Sequence, residues 1–63
     1  MIVKNLSPKF NEYKDEYPYT VVRECKDGYW YYGMYNNIEY ASRVANHIGN
    51  GVVVESKDVE YGK

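Results

Sequence analysis

Sixty-three residues with eight basic and nine acidic side chains, a net charge of −1, make one small domain and leave no room for a second. That balance lacks the basic footprint of a nonspecific nucleic-acid binder and the acidic excess of a DNA mimic. Cys25 is the only cysteine and His47 the only histidine, which excludes an intrachain disulfide and leaves a structural zinc site without its soft ligands.

A chain this short buries only about 60% of the surface it exposes when unfolded, and one core of this size rarely supplies more than ~3–5 kcal/mol. With no disulfide or metal expected, the compensation is aromatic. Nine tyrosines, Trp30 and Phe10 make up 17% of the chain, and each ring buries about 150–250 Å² when packed. No apolar run approaches the ~18 residues of a membrane span, and residues 1–6 carry no apolar signal region. The expected compartment is the cytoplasm, where a lone reduced cysteine is ordinary, with no membrane partner.

In chain order, the first unit is an N-terminal segment over 1–18. Ile2 and Val3 suit a short strand. Ser7-Pro8 reads as an N-cap followed by proline at the first helical position. Phe10, Tyr13 and Tyr17 fall at helical spacing, and Pro18 biases Tyr17 away from helix, so a short helix is expected over 8–16.

A β-β-α-β core over 19–56 follows. Residues 19–25 and 29–35 are β-branched and aromatic, and Asp27-Gly28 between them signals a hairpin turn. A two-residue loop pairs Cys25 with Trp30 and Arg23 with Tyr32; a three-residue loop with a glycine bulge shifts the pairing by one and exchanges the faces. Asn36 with Glu39 three residues on fits a capping box. Tyr40, Ala41, Val44, Ala45 and Ile48 then mark one face of a helix over 37–48, with small Ala41 and Ala45 allowing a close approach to the sheet. Gly49-Asn50-Gly51 stops that helix, and Val52-Val53-Val54 opens a third strand over 52–56. The tail over 57–63 is polar, with Val59 and Tyr61 alternating as in a frayed end or weak edge strand. The expected class is α+β, a single domain over 1–63 with a three-stranded sheet.

Catalytic inventories are poor. A Cys25–His47 pair would require the hairpin end to meet the last helical turn, with a third group to orient the base; Cys25 reads instead as a small buried hydrophobe, and His47 as a surface residue at a helix C-terminus. The glycines form neither a phosphate loop nor a dinucleotide fingerprint, and the serines lie in no nucleophile-elbow context. No enzyme activity and no cofactor are expected.

Tyr29-Trp30-Tyr31-Tyr32 is the stretch that points to function. Strand alternation puts Trp30, Tyr32 and Met34 on one face and Tyr29, Tyr31 and Tyr35 on the other. One helix covers one face of a three-stranded sheet, so the second set forms an open patch unless the N-terminal segment crosses it. Tyr29, Trp30, Tyr31, Tyr32, Tyr35 and Arg23 are the candidate binding residues. Such anchors suit a protein partner. Single-stranded nucleic acid is the alternative, but it needs cations to track phosphates, and only Arg23, Lys26 and Arg43 lie near the hairpin and helix. Self-association through a sheet edge or the open face is compatible with either.

The step from Gly33 and Tyr35 to Ala41, Val44 and Ile48 resembles the strand-to-helix step of peptidoglycan-binding SPOR repeats, and is similar to that of AP2-like DNA-binding domains. It covers about sixteen residues, and no functional residues are carried over from either family. Over most of its length, in its Tyr-, Asn- and Lys-rich composition and its Asp-Gly-aromatic hairpin, the chain resembles small ββαβ proteins encoded in phages and prophages of low-GC bacteria. That resemblance implies a small accessory protein, or an inhibitor of a host protein.

Overall fold

The computed structural model describes residues 1–61. Five strands and two helices follow one another as β1 (Ile2–Lys4), α1 (Phe10–Tyr13), β2 (Tyr19–Cys25), β3 (Gly28–Tyr35), α2 (Ile38–Ile48), β4 (Gly51–Glu55) and β5 (Glu60–Tyr61), with a 3-10 turn over Ser56–Asp58. The class is α+β, but the sheet has five strands rather than three, in the order β4-β2-β3-β1-β5. β2 is antiparallel to both β3 and β4, whereas β1 runs parallel to β3 and β5. The added strands are the Ile2-Val3 run and the alternating tail, which becomes an edge strand because β1 offers it an open flank. Gly62 and Lys63 of that tail lie outside the described residues.

The hairpin takes neither expected register. It pairs Cys25 with Gly28, Glu24 with Tyr29 and Arg23 with Trp30. Lys26 and Asp27 form the turn without positive φ, and Gly28 takes it instead at +124° as the first residue of β3. A primed turn centred on Asp27-Gly28 would need positive φ at Asp27 as well. Further along, Val21 pairs with Gly33 but Val22 with Tyr31, so Tyr32 is one residue too many on β3. This bulge breaks the alternation expected for the strand. Paired with Val22 and Thr20, Tyr31 and Met34 fall on one face, while Tyr32 joins Trp30 and Tyr35, the partners of Arg23 and Tyr19, on the other.

α2 packs on the β2–β4 half of that latter face. Ala41, Ala45 and Val21 are buried there, with Tyr19, Tyr35, Val44, Ile48 and Val53 around them. The N-cap is Asn37 rather than Asn36: its side chain accepts from the Tyr40 N–H at 3.0 Å. Gly49, at φ +85°, ends the helix. A Cβ on Gly51 would lie 2.5 Å from the Ala45 Cα and 2.7 Å from its carbonyl oxygen, so the helix backbone rests directly on β4.

The opposite face is not open. Asn5, the only non-glycine residue with positive φ among those described (62°), turns the chain after β1 and lays the N-terminal segment across it. The helix expected over 8–16 shrinks to Phe10–Tyr13, flanked by the Phe10-to-Ser7 and Glu12-to-Lys9 bonds of tight turns. The Ser7 hydroxyl accepts from the Lys9 N–H at 3.2 Å. Phe10 is fully buried and meets Tyr31 edge-on, centroids 6.2 Å apart, over the face that carries buried Val3 and Val22. The segment's end is fastened by a buried relay: Thr20 Oγ1 and Ser56 Oγ lie 2.6 Å apart, and Ser56 Oγ donates to the Tyr17 carbonyl at 2.6 Å. Since Ser56 gives its proton to Tyr17, Thr20 donates to Ser56.

Two predictions follow from this packing. Gly51→Ala should cost about 1–3 kcal/mol through overpacking, a melting shift of about 4–8 °C per kcal/mol at this size. Gly49→Asn, which has open space and a residue that tolerates the left-handed region, should cost less; the reverse order in thermal melts would refute the close approach. Ser56→Ala should lose about 1–3 kcal/mol by stranding the Thr20 hydroxyl and the Tyr17 carbonyl. Thr20→Val in that background should recover part of it, and a further loss of equal size would argue against the relay.

Candidate functional site

Because α2 lies mainly over β2 and β4 and meets β3 only at its Tyr35 end, the rest of the β3–β1 part of that face stays open. The bulge places Tyr32 there, 45% exposed. Tyr35 lies behind it, its ring folded back over Gly33, whose hypothetical Cβ would sit 2.7 Å from the Tyr35 hydroxyl. One flank of α2 forms the wall. Tyr40, 58% exposed, tilts against Tyr35 with centroids 5.2 Å apart, and Arg43, Val44 and His47 continue the wall along the helix. Together they enclose a hollow of about 400 Å³. Tyr32 also lines the next hollow, of about 430 Å³, with Trp30, Tyr31, Arg23, Cys25, Asp27 and Asn5. The two form one trough along β3, divided by a single tyrosine.

The Trp30 end is held in place. The Trp30 indole Nε1–H donates to Asp27 Oδ1 at 2.9 Å. Lys4 Nζ donates to the Asp27 carbonyl oxygen at 2.6 Å, lies 3.4 Å from its carboxylate and sits 5.7 Å from the Trp30 ring centroid. The indole bond, and secondarily Lys4, hold the Asp27 carboxyl below its ordinary range. Arg23 Nε donates to Asn50 Oδ1 at 3.4 Å.

Of the six candidate residues, Trp30, Tyr32, Tyr35 and Arg23 come together in the trough. Tyr29 does not: its partner across the sheet is Val3, and its hydroxyl donates to Glu24 at 3.3 Å. Tyr31 borders the Trp30 hollow, but its ring packs on Phe10 as part of the second core. Tyr40, Arg43 and His47 belong to the site although the sequence reading left them out. Their signal was present, since positions 40, 43, 44 and 47 share one helix flank. Cys25 is exposed rather than buried, because the shifted hairpin register carries it to the end of the ladder. His47 is exposed in the last turn of α2. The two line separate hollows.

Among the described residues no three His, Cys, Asp or Glu side chains cluster as a metal site requires, and no helix is long and apolar enough to cross a membrane. No protein-family model, curated protein or solved structure matches this chain.

Burial first, and the neighbouring Tyr35, raise the ionisation of Tyr31 above the ordinary 10.0. Burial, then Tyr32 and Tyr40, raise that of Tyr35. A raised folded value means that the stability tied to these neutral phenols is whole below pH 10 and is lost as pH rises through the raised value. In a spectrophotometric titration a late-ionising fraction should appear, and Tyr31→Phe or Tyr35→Phe should each remove part of it. Uniform ionisation of all nine tyrosines would contradict the packing of these two rings.

Proposed function

We propose that the chain is a non-enzymatic interaction module whose β3–α2 trough binds a segment of another protein. The observation that carries this is the continuous row of Trp30, Tyr32, Tyr35 and Tyr40, three of them more than a third exposed, beside Arg43 and His47. Large exposed rings in one concave patch supply contact area at low entropic cost and are typical interface anchors. The rim chemistry suits a partner that lays an apolar side chain on Tyr32 and Tyr40 and an acidic one against Arg43. The compositional resemblance to small phage proteins would make that partner a host protein.

Single-stranded nucleic acid fits less well. Base stacking needs free ring faces and a row of unengaged cations. Here Lys4 is committed to Asp27 and sits over Trp30, and Arg23 is bonded to Asn50.

Tyr32→Ala and Tyr40→Ala should weaken partner capture by roughly thirtyfold or more, as hot-spot truncations of about 2–4 kcal/mol do, with little change in melting temperature. Tyr31→Ala should lower the melting temperature instead. Fluorescence anisotropy with a labelled oligonucleotide, at low and physiological salt, provides the counter-test: micromolar, salt-dependent binding that Arg43→Glu abolishes would replace the protein reading with a nucleic-acid one.

A further inference from the structure

The two edges of the sheet are unlike. β5 is two residues long and carries Glu60, which makes it a poor template for another strand. β4 has five residues, Gly51-Val52-Val53-Val54-Glu55, and pairs with β2 alone. Its one charge, Glu55, stands at its last position, and it has no proline, no lysine and no bulge within it.

The direction of its backbone groups can be worked out. The Glu24 N–H donates to the Asn50 carbonyl and the Ser56 N–H donates to the Pro18 carbonyl, both at 2.8 Å. In an antiparallel ladder the bonded pairs alternate. With Asn50 opposite Glu24 and Ser56 opposite Pro18, the bonded pairs between them are Val52 with Val22 and Val54 with Thr20. Gly51, Val53 and Glu55 therefore point their N–H and C=O groups away from β2, out of the sheet edge.

We infer that this chain forms a symmetric homodimer by antiparallel pairing of β4 with β4 of a second copy, with the twofold axis at Val53. The outward-pointing residues are symmetric about Val53. In that register Val53 bonds to its own counterpart and Gly51 to Glu55 of the other copy, which satisfies every outward group of the strand. Glu55 faces glycine rather than another carboxylate, and Val52 meets Val54 as an apolar cross-strand pair. No other antiparallel register uses all three residues.

The helices fit the same axis. α2 lies over the β2–β4 seam, and strands are about 4.8 Å apart. The two copies of α2 would thus run about 10 Å apart, an ordinary packing distance. Tyr40, Arg43 and His47 line the β3 flank of α2, so helical geometry puts Ile38, Ser42 and Asn46 on the β4 flank. That flank is uncharged and includes Ile38, 46% exposed. Pairing would cover it. The trough lies on the opposite flank, so dimerisation leaves it open and does not depend on the proposed partner.

The test joins mass to backbone protection. Sedimentation equilibrium over a hundredfold concentration range should give a mass rising from the 7.4 kDa of the chain to twice that value. Hydrogen exchange of the unmodified protein should show the Gly51, Val53 and Glu55 amides becoming protected over the same range. Glu55 has φ −74°, which proline shares, so Glu55→Pro removes an edge donor without touching a backbone bond of the monomer, at the cost only of the exposed Lys57–Glu55 ion pair at 3.7 Å. It should weaken the dimer at least about tenfold, two bonds being lost per dimer, with an unchanged circular dichroism spectrum. A constant 7.4 kDa mass, or a dimer whose three edge amides stay unprotected, would overturn the proposal.

Discussion

The extra residue in β3, Tyr32, sits opposite the step between Val21 and Val22, and the rest of the molecule is arranged around that offset. The two valines are neighbours in β2 and both fully buried, one under α2 and the other under the N-terminal segment. A regular β3 would have kept Tyr32 on the face of Trp30 but sent Met34 there too and Tyr35 to the other side. With one residue added, Tyr31 and Met34 both serve the N-terminal core, while Trp30, Tyr32 and Tyr35 are gathered beside α2. Core rings and site rings are thereby separated within a single strand, at the cost of one unpaired position in the ladder.

The size of the chain explains why both faces had to be used. Neither the Val21–Ala41–Ala45 cluster nor the Val3–Phe10–Val22 layer is large. A domain with one such layer would fall short of what holds a chain of this length together. The sheet is the shared wall of two thin cores, and β3, flanked on both sides and covered in part on both faces, belongs to each. The buried Thr20–Ser56 relay is the polar counterpart of this arrangement: it ties the exit of β4 and the approach to β2 together where the apolar layers are thinnest.

The elements built from local signals were legible. The helix from Ile38 to Ile48, its stop at Gly49, the two hairpin strands and the valine strand follow from periodicity and turn chemistry. What the sequence hid was non-local. β1 and β5 are too short to announce themselves and exist because each finds a partner far away in the chain. The hairpin register depended on which residue took the positive φ, and an Asp-Gly dipeptide leaves that choice open. Asn36 and Asn37 are equivalent as capping residues until the last strand bond is placed. At the site, ring-rich β3 stood out, but the division of its rings did not, because a bulge has no signature in a run of four aromatics. Tyr40, Arg43 and His47 were readable as a helix flank only once it was known which side of α2 faced open sheet.

The position of β1 has a kinetic consequence. β2 and β3 are adjacent in sequence, and α2 and β4 follow directly, so this half of the sheet is built from one continuous stretch of chain. β1 reaches β3 over a span no longer than that between β2 and β4, whereas β5 reaches β1 across nearly the entire described chain. Loop-closure entropy makes such a pairing a late one. The seam between β1 and β5, two residue pairs long, is then the last part of the sheet to close. It is also the first to open under native conditions, a breathing edge on a molecule whose other half stays shut.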